Sequence, residues 1–463
     1  IYKLQAISLI ESIVICLISY ILALFIVNDL SYTPIANWVD ADIRLSQYKG
    51  LILLTALIAI LTGCLAGLYP AIRSTSYAPA LELKGSFGLS PKGKKVRVAL
   101  IGFQYTVSIA LIIVTLFMGL QNHFMTSSEQ LGFNKDQVAI VNLTPEIYAK
   151  HKPQYIQKLK DYPGIEDVAF SVYELSKEDD MIDLEYARHE DKDVFFKVFY
   201  ASENFLSVMD IQVEEGRDFT REDLNKAQSD YIINPAAERD FHLHPGDRFN
   251  DRTVLGVSKD FRFNSCRIAS SPFVFALNND IPNPKLVSYI RFNSKTNLQE
   301  AVAHVRETLK EIDPTFPFEI SFYNTILNNL YQKEQTLGKL ISLFGIMAIL
   351  ISIVGVFGLV LFETQYRRKE IGIRKINGAT TGQILLMFNK TYIRIVSVCF
   401  IISIPIAWMG TQQWLENFAY KTPLHLWVFI VAFLIILSVT IGTVTFRNWQ
   451  AANENPVNSV KSE

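Results

Sequence analysis

Cysteine is scarce, at four in 463 residues. Cys16, Cys64 and Cys399 fall inside apolar stretches and Cys266 stands alone in a polar one. No disulfide framework and no cysteine-based metal site can be assembled from them, which leaves the role of small apolar filler. Histidine is equally thin. His242-x-His244 runs into the turn signal Pro245-Gly246-Asp247 with no further His or Cys at ligand spacing. His189-Glu190 opens like a zinc-protease helix, but Asp193 stands where the second His belongs. No Gly-x-Ser-x-Gly is present, and no nucleophile, metal set or acid pair is clustered in the sequence, so a membrane enzyme is a poor fit. Gly88-Leu89-Ser90-Pro91-Lys92-Gly93-Lys94-Lys95 approaches a phosphate loop, yet it ends in Lys rather than Ser or Thr, contains Pro91 and follows no strand. It reads as a basic linker. The net charge of −1 argues neither for nor against a charged partner, and no nucleic acid is expected.

What the chain has in quantity is apolar surface. Half of its residues are hydrophobic and the mean hydropathy is +0.21. The apolar residues gather in six windows: Leu9–Val27, Leu51–Tyr69, Val98–Leu120, Leu340–Phe362, Ile393–Met409 and Trp427–Phe446. Each is near the ~20 residues that cross a hydrocarbon core. Helices of a soluble core are usually shorter and keep a polar face. The expected architecture is therefore a polytopic α-helical membrane protein with about six spans.

Charge orients the spans. Arg73, Lys84, Lys92, Lys94, Lys95 and Arg97 lie between the second and third, opposed only by Glu82. A second basic loop lies between the fourth and fifth. The loop after the first span carries Asp29, Asp40, Asp42, Arg44 and Lys49, and the loop before the last span only Glu416 and Lys421. The Lys/Arg excess puts residues 71–97 and 363–390 in the cytoplasm and both termini with them.

Between the third and fourth spans, residues 121–338 are polar and rich in turn signals. Candidate strands are Val138–Leu143, Val168–Tyr173, Val194–Tyr200, Tyr231–Asn234, Val254–Ser258, Phe273–Leu277, Val287–Phe292 and Phe318–Phe322; candidate helices are Pro153–Leu159, Glu203–Met209, Pro235–Asp240 and Leu298–Ile312. The mixture predicts an α/β or α+β domain on the far side of the membrane. Phe124–Gln130 and Ile326–Gln335 read as helical continuations that carry it.

The two ends of the chain resemble one another. Val14 to Ile21 reads like Ser397 to Ile404, and Pro79-x4-Lys84 like Pro456-x4-Lys461. With Ile1 in place of an initiator Met, this predicts an N-terminally truncated piece whose first copy lacks its opening span, soluble domain and basic loop. Within the spans, Gln104 is read as an interhelical hydrogen-bonding group or an interfacial amide, and Arg394 as a snorkelling cation near Lys390. Gly345, Gly355 and Gly358 are read as points of close helix approach.

The basic loop is Arg367-Arg368-Lys369-Glu370-Ile371-Gly372-Ile373-Arg374-Lys375-Ile376-Asn377-Gly378-Ala379. Ile371, Ile373 and Ile376 predict the apolar edge of a short interfacial helix. Gly378 is a natural C-cap, and Thr380-Thr381-Gly382-Gln383 offers a capping box for the next helix. A topology-fixing loop with no further role is the plainer alternative.

The same run resembles the signature of FtsX-like permeases, the membrane subunits of MacB-type ABC transporters. Glu215-Gly216-Arg217-Asp218-Phe219, Ile233-Asn234-Pro235-Ala236-Ala237, Val254 to Phe261, and Phe103-Gln104-Tyr105 with Ser108 agree with it; Pro245-Gly246-Asp247-Arg248 departs slightly. The resemblance runs along nearly the whole chain and is nearest to double-length permeases. It implies the end of a first membrane half over 1–70, a linker over 71–97 and a span over 98–120. A MacB-like extracytoplasmic domain would follow over 121–338, a second permease domain over 339–446 with a coupling helix at 366–379, and a cytoplasmic tail over 447–463.

The resemblance further implies that Glu370, Gly372, Arg374, Lys375, Gly378 and Ala379 carry coupling to a separate cytoplasmic ABC ATPase. ATP and Mg²⁺ would sit on that partner, with no cofactor on this chain. The other partners implied are membrane lipid and a periplasmic adaptor or outer-membrane channel, in a bacterial inner membrane. The implied work is mechanotransmission for export of a peptide, antibiotic or lipoprotein. The rival reading is a signalling permease that controls a cell-wall hydrolase or sensor kinase.

Overall fold

The structure is a computed structural model that describes residues 2–33, 45–74, 91–127, 131–176, 183–226, 228–263, 265–277 and 286–453. Pro79 to Lys84, Pro456 to Lys461, and Gly88 to Ser90 of the near-phosphate loop lie outside the described residues, as do most of the acidic first loop and Ser128 to Gln130.

The chain opens with three helices, α1 (Tyr2–Leu30), α2 (Lys49–Ser74) and α3 (Pro91–Thr126). Pro91 begins α3, which suits a residue with no N–H to give at a helix start. The mixed α/β region follows: β1 (Val138–Leu143), α4 (Lys152–Lys160), β2 (Ile165–Ser171), β3 (Asp183–His189), β4 (Lys192–Ala201), α5 (Phe205–Met209), β5 (Val213–Gly216), β6 (Tyr231–Ile233), α6 (Pro235–Phe241), β7 (Arg248–Phe249), β8 (Arg252–Ser258), β9 (Phe273–Leu277), β10 (Leu286–Phe292), α7 (Leu298–Ile312), β11 (Ile320–Phe322) and α8 (Tyr323–Leu330). The chain then returns to long helices: α9 (Gln332–Tyr366), the short α10 (Arg368–Ile376), α11 (Thr381–Leu415) and α12 (Leu426–Asn453). Among the described residues, six helices are long and apolar enough to cross a membrane: α1, α2, α3, α9, α11 and α12. Each contains one of the six apolar windows.

Two units form. One is helical and takes residues 1–116, 336–410 and 425–463; the other is the mixed unit of 117–335 with 411–424.

In the helical unit, close approach depends on small residues and isolated polar pairs. A side chain at Gly63 or Gly67 of α2 would come within 2.9 Å of Ile13 or Ser12 of α1, and Tyr20 donates to the Ile52 carbonyl at 2.7 Å. Hydroxyl pairs join α3 to its neighbours: Tyr105 with Thr440 of α12 at 2.9 Å, and Ser108 with Ser352 of α9 at 3.0 Å. Two of the three expected glycine contacts are present. A side chain at Gly355 would meet the Gln104 amide oxygen at 3.2 Å, and one at Gly345 would meet the Thr115 hydroxyl at 3.6 Å. A side chain at Gly358 would meet nothing within 4 Å, so the close approach expected there is not found among the described residues. The Gln104 amide nitrogen has no hydrogen-bond partner among the described residues, so the expected interhelical bond is replaced by packing.

The mixed unit is built on one sheet of order β11-β1-β10-β2-β4-β9-β6-β8-β5, with β3 on β4 and β7 on β8. Its two lobes meet at a single bridge, Ser171 with Ala201. One face of the first lobe is covered by α4 and α7 through Tyr155, Leu159, Val305 and Leu309. Phe241 of α6 joins Phe196 and Phe249 over the second lobe. The other side of the sheet shares one aromatic core that includes Phe199, Phe205, Phe273, Phe275, Tyr289 and Tyr323.

The motifs that carried the resemblance in this region are fold devices. Asn234 is buried and caps α6 by accepting from the Ala237 N–H at 2.9 Å, with Pro235 in the first turn. Its Oδ1 also accepts from the Phe273 N–H at 3.0 Å, which fixes the helix to β9. Gly216 has φ +79, and a side chain there would meet the Leu255 carbonyl at 2.2 Å. Beyond it, Arg217 clamps the buried Asp223 with two bonds of 2.7 and 2.8 Å.

Three strands were not anticipated. β3 presents Leu184 and Tyr186 outward and turns into β4 through Glu190 and Asp191, both at positive φ. β7 turns into β8 through Asn250 and Asp251, again both at positive φ. These are hairpin turns without the glycine that usually marks them. β5 is four residues long and mostly exposed. The expected helix Ile326–Gln335 breaks at Tyr331 (φ −107, ψ 15), whose buried ring and hydroxyl are engaged by Cys266: the Cys266 N–H donates to the hydroxyl at 3.2 Å.

The loop 411–424 belongs to the mixed unit. The Gln121 side chain of α3 holds it like a short strand partner, donating to the Tyr420 carbonyl at 3.0 Å and accepting from the Thr422 N–H at 2.8 Å. Arg262 lies 4.0 Å over the Tyr420 ring, and Arg267 stacks on Phe418 while bonding Glu334 at 2.8 Å. Phe418 completes a small cluster with Met125, Cys266 and Tyr331, and burial pushes the Cys266 thiol up.

Arg217, aided by the Thr220 N–H and Lys226, holds the Asp223 carboxyl far below the usual carboxylate range. Such a group stabilises above its unfolded pKa, near 3.9, and the contribution is lost as pH falls toward the folded value. Asp223→Asn should therefore cost about 2 kcal/mol at pH 7. In melts of the detergent-solubilised chain the deficit should narrow steadily below about pH 4. A deficit independent of pH would reject the charge argument.

Candidate functional site: the basic turn and its mounting

Arg367 (φ −92, ψ 10) is the non-helical residue that precedes α10. Hydrogen bonding nevertheless continues across it: the Arg367 N–H donates to Glu363 at 3.0 Å, and the Ile371 N–H donates to Arg367 at 2.9 Å. α10 is thus a bent extension of α9 rather than a free helix.

Its far end is closed by a Schellman motif. The Gly378 N–H donates to Lys375 at 3.0 Å and the Ala379 N–H donates to Arg374 at 2.9 Å, with Gly378 at φ +88. The next residue starts a reciprocal cap. The Gln383 N–H donates to the Thr380 hydroxyl at 3.3 Å, and the Thr380 N–H donates to Gln383 Oε1 at 3.1 Å. Both signals were legible because both are local in sequence.

The apolar edge is different from the expectation. Ile371 is 4 % exposed, whereas Ile373 and Ile376 are 56 % and 66 % exposed. At 100° per residue, Ile373 lies about 200° from Ile371, so the two cannot share a face. Ile373 and Ile376 lie about 60° apart and present an outward apolar pair. Gly372 is buried, Arg374 and Gly378 are exposed, and Lys375 and Ala379 are half-buried.

A ladder of charges descends from this face. Arg374 bonds Glu370 at 2.8 Å; Arg367 reaches Glu370 at 3.9 Å and Glu363 at 3.1 Å; the Tyr392 hydroxyl of α11 donates to the other Glu363 oxygen at 3.3 Å. Side-chain exposure falls from 52 % at Arg374 to 11 % at Glu363. Arg367 also lies 5.9 Å over the Phe388 ring. One residue on, the Thr364 hydroxyl donates to Asn448 Oδ1 of α12 at 2.7 Å, and Asn389 of α11 donates to Thr445 at 2.9 Å. Glu363, Thr364, Tyr392 and Asn448 were not singled out by sequence, since nothing local announces partners 29 and 84 residues apart.

Of the tempting ligand sets, the nearest among the described residues is Glu215, Glu238 and His244, whose ligand atoms lie within 4.8 Å of one another at the surface. His242 is the left-handed cap of α6 and takes no part.

Residues 342–456, which take in α9 from its third turn through α12, match the family model of the FtsX-like permease C-terminal domain. The C-terminal part of the chain is thus similar to FtsX-like permeases. Curated proteins similar to this chain include the macrolide export ATP-binding/permease protein MacB of Aggregatibacter actinomycetemcomitans, 25 % identical over 212 residues, 43 % of this chain and 32 % of the relative. The protein of the same name from Neisseria gonorrhoeae is 25 % identical over 223 residues, 45 % of this chain and 34 % of the relative. The chain thus spans about a third of the length of the curated relatives it matches. Among solved structures, the periplasmic region of MacB from Actinobacillus actinomycetemcomitans aligns at 15 % identity with a TM-score of 0.32, over 45 % of this chain and 97 % of that one.

Glycine at 378 is required by its left-handed backbone. Gly378→Ala should cost about 1 kcal/mol locally. Amide exchange over 374–380 should speed up while that of α11 beyond its first turn is unchanged. Unaltered exchange at Ala379 would mean that the cap is dispensable.

Proposed function

We propose that this permease is the membrane subunit of a MacB-type ABC transporter and that α10 is the helix on which a separate cytoplasmic ATPase docks. The observation that carries the reading is the construction of α10. It is nine residues long, is capped at its far end, and leaves the pair Ile373 and Ile376 exposed, with Arg374 exposed next to Ile373. An exposed apolar pair beside a cation suits a protein partner more than water. ATP and Mg²⁺ belong to that partner. Closure of the ATPase pair moves α10, and with it α9 and α11, and the mixed unit reads out the motion on the other side of the membrane.

The orientation rests on the Lys/Arg excess: residues 363–390 and both termini face the cytoplasm of a bacterial inner membrane. The cargo class is a peptide, antibiotic or lipoprotein; the naming of the curated relatives for macrolide export favours an amphiphilic antibiotic. A periplasmic adaptor or outer-membrane channel completes the route.

Arg374→Glu with Lys375→Glu should reduce the ATPase that co-purifies by at least tenfold and abolish ATP-driven macrolide export. Survival of both would refute the docking assignment. In a cysteine-free background, I373C and L184C should react with an impermeant maleimide from opposite sides of sealed vesicles. Reaction of both from one side would refute the orientation.

A further inference from the structure

We infer that Glu363 is a positioning residue that sets the attitude of α10 against α11, so that a force applied at Arg374 is delivered to the two spans together. The inference deepens the docking reading and rests on it only where an ATPase is measured.

Glu363 lies on the last turn of α9, just past the apolar segment that ends at Leu361, and is 8 % exposed. A carboxylate buried to that extent is costly unless it is paired. Both oxygens are engaged, and by different elements: one by Arg367 at the α9–α10 bend, the other by Tyr392 on α11. A pair serving stability alone needs only one of these. Two partners on two elements define an angle.

The ladder supplies the route. Arg374, Glu370, Arg367 and Glu363 follow at intervals of three or four residues along α9 and α10, so each reaches the next across one helical turn. Exposure decreases along it, so the outer rung is open to a partner's charge and the inner rung is shielded from solvent screening. The Arg367–Glu370 rung is the long one, at 3.9 Å. A partner carboxylate that takes Arg374 leaves Glu370 free to close on Arg367, which competes with Glu363 for the same guanidinium. The Thr364–Asn448 bond ties the neighbouring residue to α12, so α9 cannot rotate at this point without that helix.

The test uses the full chain. Nitroxides at Ile376 and Val398, both exposed, report α10 against α11 by pulsed electron resonance with no ATPase present. Glu363→Gln should broaden that distance distribution at unchanged melting temperature. Tyr392→Phe, which removes only a hydroxyl, should broaden it too and serves if the first variant folds poorly. With the ATPase, Glu363→Gln should still co-purify the partner, while ATP hydrolysis of the complex in liposomes falls at least tenfold. A distribution unchanged in both variants overturns the proposal, as does loss of the partner from a well-folded Glu363→Gln chain. If wild-type chain binds no ATPase yet the distribution broadens in the variants, the docking reading fails and the joint stands.

Discussion

Hydrocarbon offers a peptide group no partner, and that constraint shapes the helical unit. Six long helices satisfy their backbones internally, so little but side-chain packing and a few polar pairs remains to hold them to one another. The pairs are spent sparingly: Tyr105 with Thr440, Ser108 with Ser352, Thr364 with Asn448, Asn389 with Thr445. Each joins a different pair of helices. At the end of α9 that leads into the basic turn, Glu363 and Arg367 add an ion pair to these hydroxyl and amide contacts.

Features that depend on neighbours in sequence were legible. Hydrophobic length located the spans, Gly378 located the end of α10, and Thr380 with Gln383 located the start of α11. Alternation located eight of the strands, and Val138–Leu143, Phe273–Leu277 and Leu298–Ile312 coincide with the observed elements. What was missed has physical causes. Hairpin turns at Glu190-Asp191 and Asn250-Asp251 adopt left-handed backbone without glycine, so the turns that lead from β3 into β4 and from β7 into β8 lack their usual mark. The apolar edge of α10 was misread because three isoleucines within six residues look like a stripe until angular spacing is applied. The buried acid Glu363 lay at the margin of an apolar window, where a charge is ordinarily taken for the end of a span.

The resemblance motifs divide into two kinds. In the mixed unit they mark backbone necessities: the cap at Asn234, the left-handed Gly216, the buried Phe261 after β8. In the basic turn they mark a surface. Gly378 again answers to backbone geometry, whereas Ile373 stands exposed and Arg374 pairs with Glu370 on the outer side of α10.

The seating of 411–424 bears on how the protein is made. Residues 117–335 leave the ribosome long before Phe418, Tyr420 and Thr422 exist, yet Met125, Cys266 and Tyr331 are covered by Phe418, and Gln121 finds both its partners in that loop. During synthesis those groups wait, wet and unpaired, until α11 has been threaded and its connector emerges. A fragment ending at residue 335 would therefore lack the cover of Met125, Cys266 and Tyr331 and both partners of Gln121.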